Sequence, residues 1–151
     1  MTTTRSIDIL IADDDAEDRM LITDALKESR LKNHIQFVEN GEELLQYLNN
    51  EGNYTDTRKY PTPGIILLDL NMPKKDGREA LKEIKADKKL RCIPIIILTT
   101  SQAEEDILKT YNLGVNSFIT KPVTFQSMVD VMRTLQKYWF EIVELPGGNQ
   151  A

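Results

Sequence analysis

Apolar positions along the chain fall into short blocks that alternate between two patterns. "IDILIA" (7–12) is a compact, β-branched run, followed by Asp13-Asp14-Asp15 and the helix-like "AEDRMLITDALKESR". That succession reads as strand, acidic turn, helix. It recurs as "HIQFVEN" then "GEELLQYLNN", "GIILLDL" then "GREALKEIKADKK", "IPIIILTT" then "AEEDILKTYNLG", and "SFITKP" then "TFQSMVDVMRTLQKYWFEI". Five strand-helix units follow.

Strands that alternate with helices of this length imply right-handed crossovers and a parallel sheet covered on both faces. Coverage on both faces explains why the third and fourth strands are continuously apolar. The expected fold is an α/β three-layer sandwich of five βα units. In open sheets of this kind ligands bind beyond the carboxyl ends of the strands, where the strand order reverses. The segment 50–64, "NEGNYTDTRKYPTPG", is longer than a usual connection and contains Pro61 and Pro63. It reads as an elaborated surface loop, either a solvated insertion or an element that meets a partner.

Composition narrows the class. At 151 residues the chain suits one domain, which buries roughly 70% of its unfolded surface. Hydrophobic residues make up 40% and charged residues 28%, a globular balance that argues against disorder. A net charge of -5 and a pI near 5.0 leave no basic footprint for phosphate backbones, so nucleic acid is not an expected partner. No apolar stretch reaches membrane-span length and the N-terminus lacks a signal-peptide core, so no membrane partner and a cytoplasmic location are expected. Cys92 and His34 are the sole residues of their types. They exclude an intramolecular disulfide, a thiolate cluster and a multi-histidine metal site.

The strand ends carry the chemistry. Asp13 and Asp14 follow the first strand, Asp69 ends the third in "LLDLNMP", Thr99 ends the fourth and Lys121 the fifth. All collect on one edge of the sheet. Three carboxylates gathered in a cleft repel one another, and such a group persists when a divalent cation neutralises it. Oxygen-only ligands of this kind suit Mg2+. A carboxylate can attack phosphorus and form an acyl phosphate when cations and donors stabilise the phosphoryl oxygens. Asp69 is the candidate nucleophile, with Lys121 and the Thr99 hydroxyl as phosphoryl partners. Taken singly, each residue has a plainer reading: Asp15 as a helix N-cap with Asp18 placed as in a capping box, Thr99 as a strand residue, Lys121-Pro122 as a turn. The conjunction at successive strand ends is what is specific.

"IADDDAED", "LLDLNMPKKDG", "IIILTTS" and "FITKP" resemble the signatures of response-regulator receiver domains of two-component signalling, over about residues 7–132. The likeness implies a flavodoxin-like fold with strand order 2-1-3-4-5 in a single receiver domain over 1–151, with the last helix and a C-terminal extension beyond that core. It implies Asp69 as phosphoacceptor, and Asp13, Asp14, Asp69 and the Asn71 backbone carbonyl as the Mg2+ site. Thr99 and Phe118 match the family's switch positions, and Lys121 its phosphoryl-binding lysine, commonly followed by a cis bond to proline. The loop before the third strand, "LTTS" and the ending "YWFEIVELP" are similar to single-domain regulators paired with phytochrome-like sensor histidine kinases. Such a protein is a switch that assists its own phosphorylation and slow dephosphorylation rather than an enzyme.

No output domain follows the last helix in this sequence, so output is expected through a downstream protein target or, as a relay, a histidine phosphotransfer protein. A haloacid-dehalogenase-like aspartyl-phosphate hydrolase is disfavoured, since Asn71 stands where those enzymes carry a second acid. Apolar residues at Met128, Val131, Met132, Leu135, Tyr138, Trp139 and Ile142 continue as one helical stripe past the expected end of the domain. The Tyr138-Trp139-Phe140 cluster then needs another surface, either its own domain or a second copy in a homodimer.

Overall fold

A computed structural model describes residues 8–28, 34–70, 72, 74–99, 117–122, 124–135 and 137. In chain order the elements are β1 (Ile9–Ala12), α1 (Ala16–Glu28), β2 (Ile35–Val38), α2 (Gly41–Leu48), β3 (Ile65–Leu68), α3 (Gly77–Ala86), β4 (Ile95–Thr99), β5 (Ser117–Thr120) and α4 (Phe125–Leu135). Short 3-10 turns occupy Gly52–Tyr54 and Leu90–Cys92. The five strands form one sheet in the order β2-β1-β3-β4-β5, and every pairing is parallel. This is the predicted topology. The helix expected over 103–114 and the continuation of the last stripe through Tyr138, Trp139, Phe140 and Ile142 lie outside the described residues.

Side chains on successive strand positions point to opposite faces, so each inner strand feeds two cores. Leu10, Ala12, Ile66, Leu68, Ile95 and Ile97 pack with Leu44, Leu48, Leu81 and Ile84 of α2 and α3. Ile9, Ile11, Ile65, Leu67, Ile96 and Leu98 pack on the other face with Ile22 and Leu26 of α1 and Met128, Met132 and Leu135 of α4. All four residues of β1 and all four of β3 are buried, as a strand with helices on both faces requires. Three of the four residues of β2 are only half-buried, in keeping with its place at the sheet edge. The α4 stripe differs slightly from the sequence reading: Val129 is buried and Val131 half-buried, which centres the packed face between Met128 and Val129.

The 50–64 segment folds onto its own domain. Tyr47 of α2, Tyr54 and Tyr60 form a three-ring cluster with centroids 5.3, 5.6 and 4.9 Å apart. The Tyr47 hydroxyl donates to the Pro61 carbonyl at 3.2 Å. Asn50, in the left-handed region at φ 53°, donates from Nδ2 to the carbonyls of Tyr54 and Tyr60. A polar, proline-bearing loop thus gains an apolar anchor and two internal cross-braces. Burial pushes the Tyr47 phenol up to about 12, with the nearby Asp8 carboxylate adding to the rise.

Candidate functional site

Backbone pairing sets the positions of the two central carboxylates. Ala12 pairs with Leu68 across β1 and β3, and the ladder runs one step further: the Asp69 amide donates to Ala12 O and the Asp13 amide to Val38 O, each at 3.0 Å. Asp13 and Asp69 therefore leave the sheet at the same level, on fixed backbone. Lys121 directly follows β5, whose Thr120 pairs with Thr99 of β4. Asp13, Asp69 and Lys121 are 1%, 7% and 6% exposed. Asp14, next in the chain, is exposed.

Lys121 is the electrostatic centre of this edge. Its Nζ donates to Asp13 Oδ2 at 2.8 Å, to Asp18 Oδ2 at 2.8 Å and to Asp69 Oδ2 at 3.0 Å. An ammonium has three protons, and three carboxylates take them. Burial by itself would pull the Lys121 ammonium down, but the bonds to Asp13 and Asp18 and the charge of Asp69 outweigh it and hold the lysine above its ordinary value. Asp13 shows the opposite balance. Desolvation lifts its carboxyl above the ordinary 3.8, despite the bonds from Lys121 and the Asp15 amide that oppose the rise.

One ammonium does not neutralise the pocket. Asp13, Asp14 and Asp69 each present a carboxylate oxygen, and these oxygens lie within 4.8 Å of one another, while Asp18 adds a fourth acid to the pocket through its bond to Lys121. A hard, oxygen-only donor set with excess negative charge fits a divalent cation such as magnesium or manganese and not a soft metal.

Local structure around the acids follows from the same residues. Asp15 caps α1, its Oδ1 accepting from the Glu17 and Asp18 amides at 2.8 and 3.3 Å, as the acidic triplet suggests. Asp18 departs from the capping-box reading, because the Asp15 amide donates to Asp13 Oδ1 while the Asp18 carboxylate turns to Lys121. A buried ammonium attracts a carboxylate more strongly than a single backbone amide that Asp13 already engages. Arg19 Nη1 donates to the Asp13 carbonyl at 2.8 Å, clamping the turn from beneath. Gly77 opens α3 at van der Waals contact with the turn after β3: a Cβ there would sit 2.4 Å from Asp69 O and 2.8 Å from Leu70 Cα. Gly77 therefore both starts the helix and lets it approach the strand end closely.

Of the predicted site residues, the structure brings Asp13, Asp14, Asp69 and Lys121 together. Thr99 and Phe118 lie on the backbone of β4 and β5, Phe118 paired with Ile97; their side chains and all of Asn71 lie outside the described residues. No cis peptide bond occurs among the described residues, so the Lys121–Pro122 bond is trans where the resemblance implied cis. The trans preference of such bonds is small, about 0.5–1 kcal/mol, and surroundings choose the isomer. Sequence reasoning missed Asp18 as a partner of Lys121. Its place, five residues after Asp13 and in the first turn of α1, was the available signal.

The profile of the response regulator receiver domain matches residues 9–133. The chain belongs to that family. As a receiver domain it is 37% identical over 138 residues to response regulator Rcp1 of Synechocystis sp., covering 91% of this chain and 92% of that one. Among solved structures, the phosphorylated cyanobacterial phytochrome response regulator RcpA is similar at 38% identity and a TM-score of 0.86, over 94% of this chain and 99% of that chain. The Mn2+-bound form of Rcp1 is similar at 36% identity and a TM-score of 0.83, over 93% and 99%. No helix among the described residues of this receiver is long and apolar enough to cross a membrane.

Proposed function

We propose that this receiver accepts a phosphoryl group on Asp69 in a Mg2+-dependent reaction and signals by a change of conformation to a partner protein. The observation that carries the reading is the near-buried Asp69 carboxylate, 3.0 Å from Lys121 Nζ and grouped with the Asp13 and Asp14 oxygens within 4.8 Å. Asp13, Asp14 and Asp69 would hold the cation, with the Asn71 carbonyl as the family's fourth protein ligand. Mg2+ when bound supplies positive charge to the phosphoryl oxygens. The Mn2+-bound form of Rcp1 supports a divalent ion at this group.

The chain's own residues do the rest. An Asp69 oxygen attacks phosphorus in line with the leaving group; the new O–P bond forms as the donor's bond to phosphorus breaks, and the donor leaves with that electron pair. In the starting state Lys121 holds Asp69 in place. Once Asp69 is an acyl phosphate its charge has moved outward onto the phosphoryl oxygens, and the ammonium follows it. Thr99, at the end of β4, is assigned to donate its hydroxyl to the phosphoryl group, with Phe118 on β5 reorienting in response, which shifts an existing equilibrium between two conformations.

The likeness to RcpA, a phytochrome response regulator, supports a phytochrome-like sensor histidine kinase in the cytoplasm as phosphodonor. The single receiver then reports to a downstream target or a phosphotransfer protein. The aromatic cluster Tyr138-Trp139-Phe140 is assigned to a homodimer contact. Amide spectra in Mg2+ with and without a stable phosphoryl mimic test the switch: shifts across Ala103 to Thr120 are expected, and an unchanged segment refutes it.

A further inference from the structure

We infer that Asp18 is a positioning residue that keeps Lys121 in the pocket independently of the acids that would hold the metal, an inference that rests on the receiver reading above. Lys121 shares its three protons among Asp13, Asp69 and Asp18, at 2.8, 3.0 and 2.8 Å. Two of these acceptors belong to the carboxylate group that converges with Asp14. Asp18 does not. It stands in the first turn of α1, on the solvent side of the ammonium, with its side chain 29% exposed against 2% for Asp13 and 9% for Asp69.

This division has a consequence. A divalent cation among Asp13, Asp14 and Asp69 draws their lone pairs toward itself and repels the ammonium beside them. The carboxylate that then retains Lys121 is Asp18, which is close enough to bond and outside the cation's ligand group. Asp18 also closes the outer side of the ammonium against water. The residue is held for this task by the Asp15 cap, whose Oδ1 accepts from the Asp18 amide at 3.3 Å and so orients the start of the helix.

The test follows the Lys121 ammonium protons by NMR of 15N-labelled protein in wild type, Asp18→Asn, Asp18→Glu and a Glu17→Gln control, which removes a neighbouring charge from the same helical turn. Without metal, Asp18→Asn should speed exchange of the Lys121 ammonium protons by about fivefold, the scale of a partly exposed charge pair. Glu17→Gln should leave it unchanged, and Asp18→Glu should restore part of the protection. Exchange unchanged in Asp18→Asn overturns the inference whatever the metal does. With Mg2+ added, wild type should keep the Lys121 signal and Asp18→Asn should lose it; loss in both also overturns the inference. If Mg2+ fails to shift the Asp13 and Asp14 amides in wild type, the metal reading of the site fails, while the metal-free comparison still decides the role of Asp18.

Discussion

Replacing Lys121 with Met removes the one charge that three carboxylates share while keeping most of the side chain's volume. The lost bonds are 2.8, 2.8 and 3.0 Å long, and two of the acids left behind, Asp13 and Asp69, are almost wholly buried. Breaking a buried ion pair by removing one partner costs about 3–5 kcal/mol. Relief from burying the ammonium offsets part of this, and Asp18, being partly exposed, adds little. The expected net loss at neutral pH without metal is about 2–4 kcal/mol, on the order of 10 °C in Tm for a domain of this size. Acid should narrow the gap. Asp13 already has its folded pKa raised above 3.8, so its stabilising contribution is complete below that value and is lost as pH rises through the folded value. Without Lys121 the folded value climbs further, and the variant regains stability relative to wild type as pH falls toward the unfolded value. Mg2+ should raise the variant's midpoint more than wild type's, because a cation can replace the missing positive charge. Urea unfolding followed by circular dichroism at neutral and acid pH, in chelator and in Mg2+, measures all three. Equal midpoints at neutral pH in chelator, or a gap that widens on acidification, would refute the reasoning.

Gly77→Ala should destabilise the fold by about 1–3 kcal/mol and slow phosphorylation, because its Cβ would overlap the Asp69 carbonyl and Leu70 backbone; an unchanged urea midpoint contradicts this. Tyr47 should ionise near 12: the raised folded value means that the neutral phenol's contribution is present below pH 10 and lost as pH rises through about 12. Phenolate absorbance compared between wild type and Tyr47→Phe should therefore show no contribution from Tyr47 near pH 10, and a difference there would count against its burial. Sedimentation should find a dimer in wild type and a monomer in Trp139→Glu; monomers of both at tens of micromolar, with and without a phosphoryl mimic, assign the aromatic cluster to intramolecular packing.

The sheet was legible because its inner strands have no polar face: "IILL" in β3 is buried at every residue, and only a strand covered on both sides permits that. Asp13, Asp69 and Lys121 were legible because a parallel sheet delivers whatever follows its strands to one edge. Asp18 was misread because an acid three residues after a capping Asp satisfies the local pattern equally well, and its long-range partner lies 103 residues away. The tyrosine cluster was hidden for a related reason. Tyr47, Tyr54 and Tyr60 keep no helical or strand period across a loop, so no spacing announces that they meet.

The central claim is that Asp69 takes the phosphoryl group. Intact-mass analysis after incubation with a small phosphodonor in Mg2+ tests it most directly: wild type should gain one phosphoryl mass, and Asp69→Asn, or wild type in excess chelator, should gain none. A full phosphoryl shift in Asp69→Asn under the same conditions would contradict the account, as would undiminished labelling of wild type in chelator.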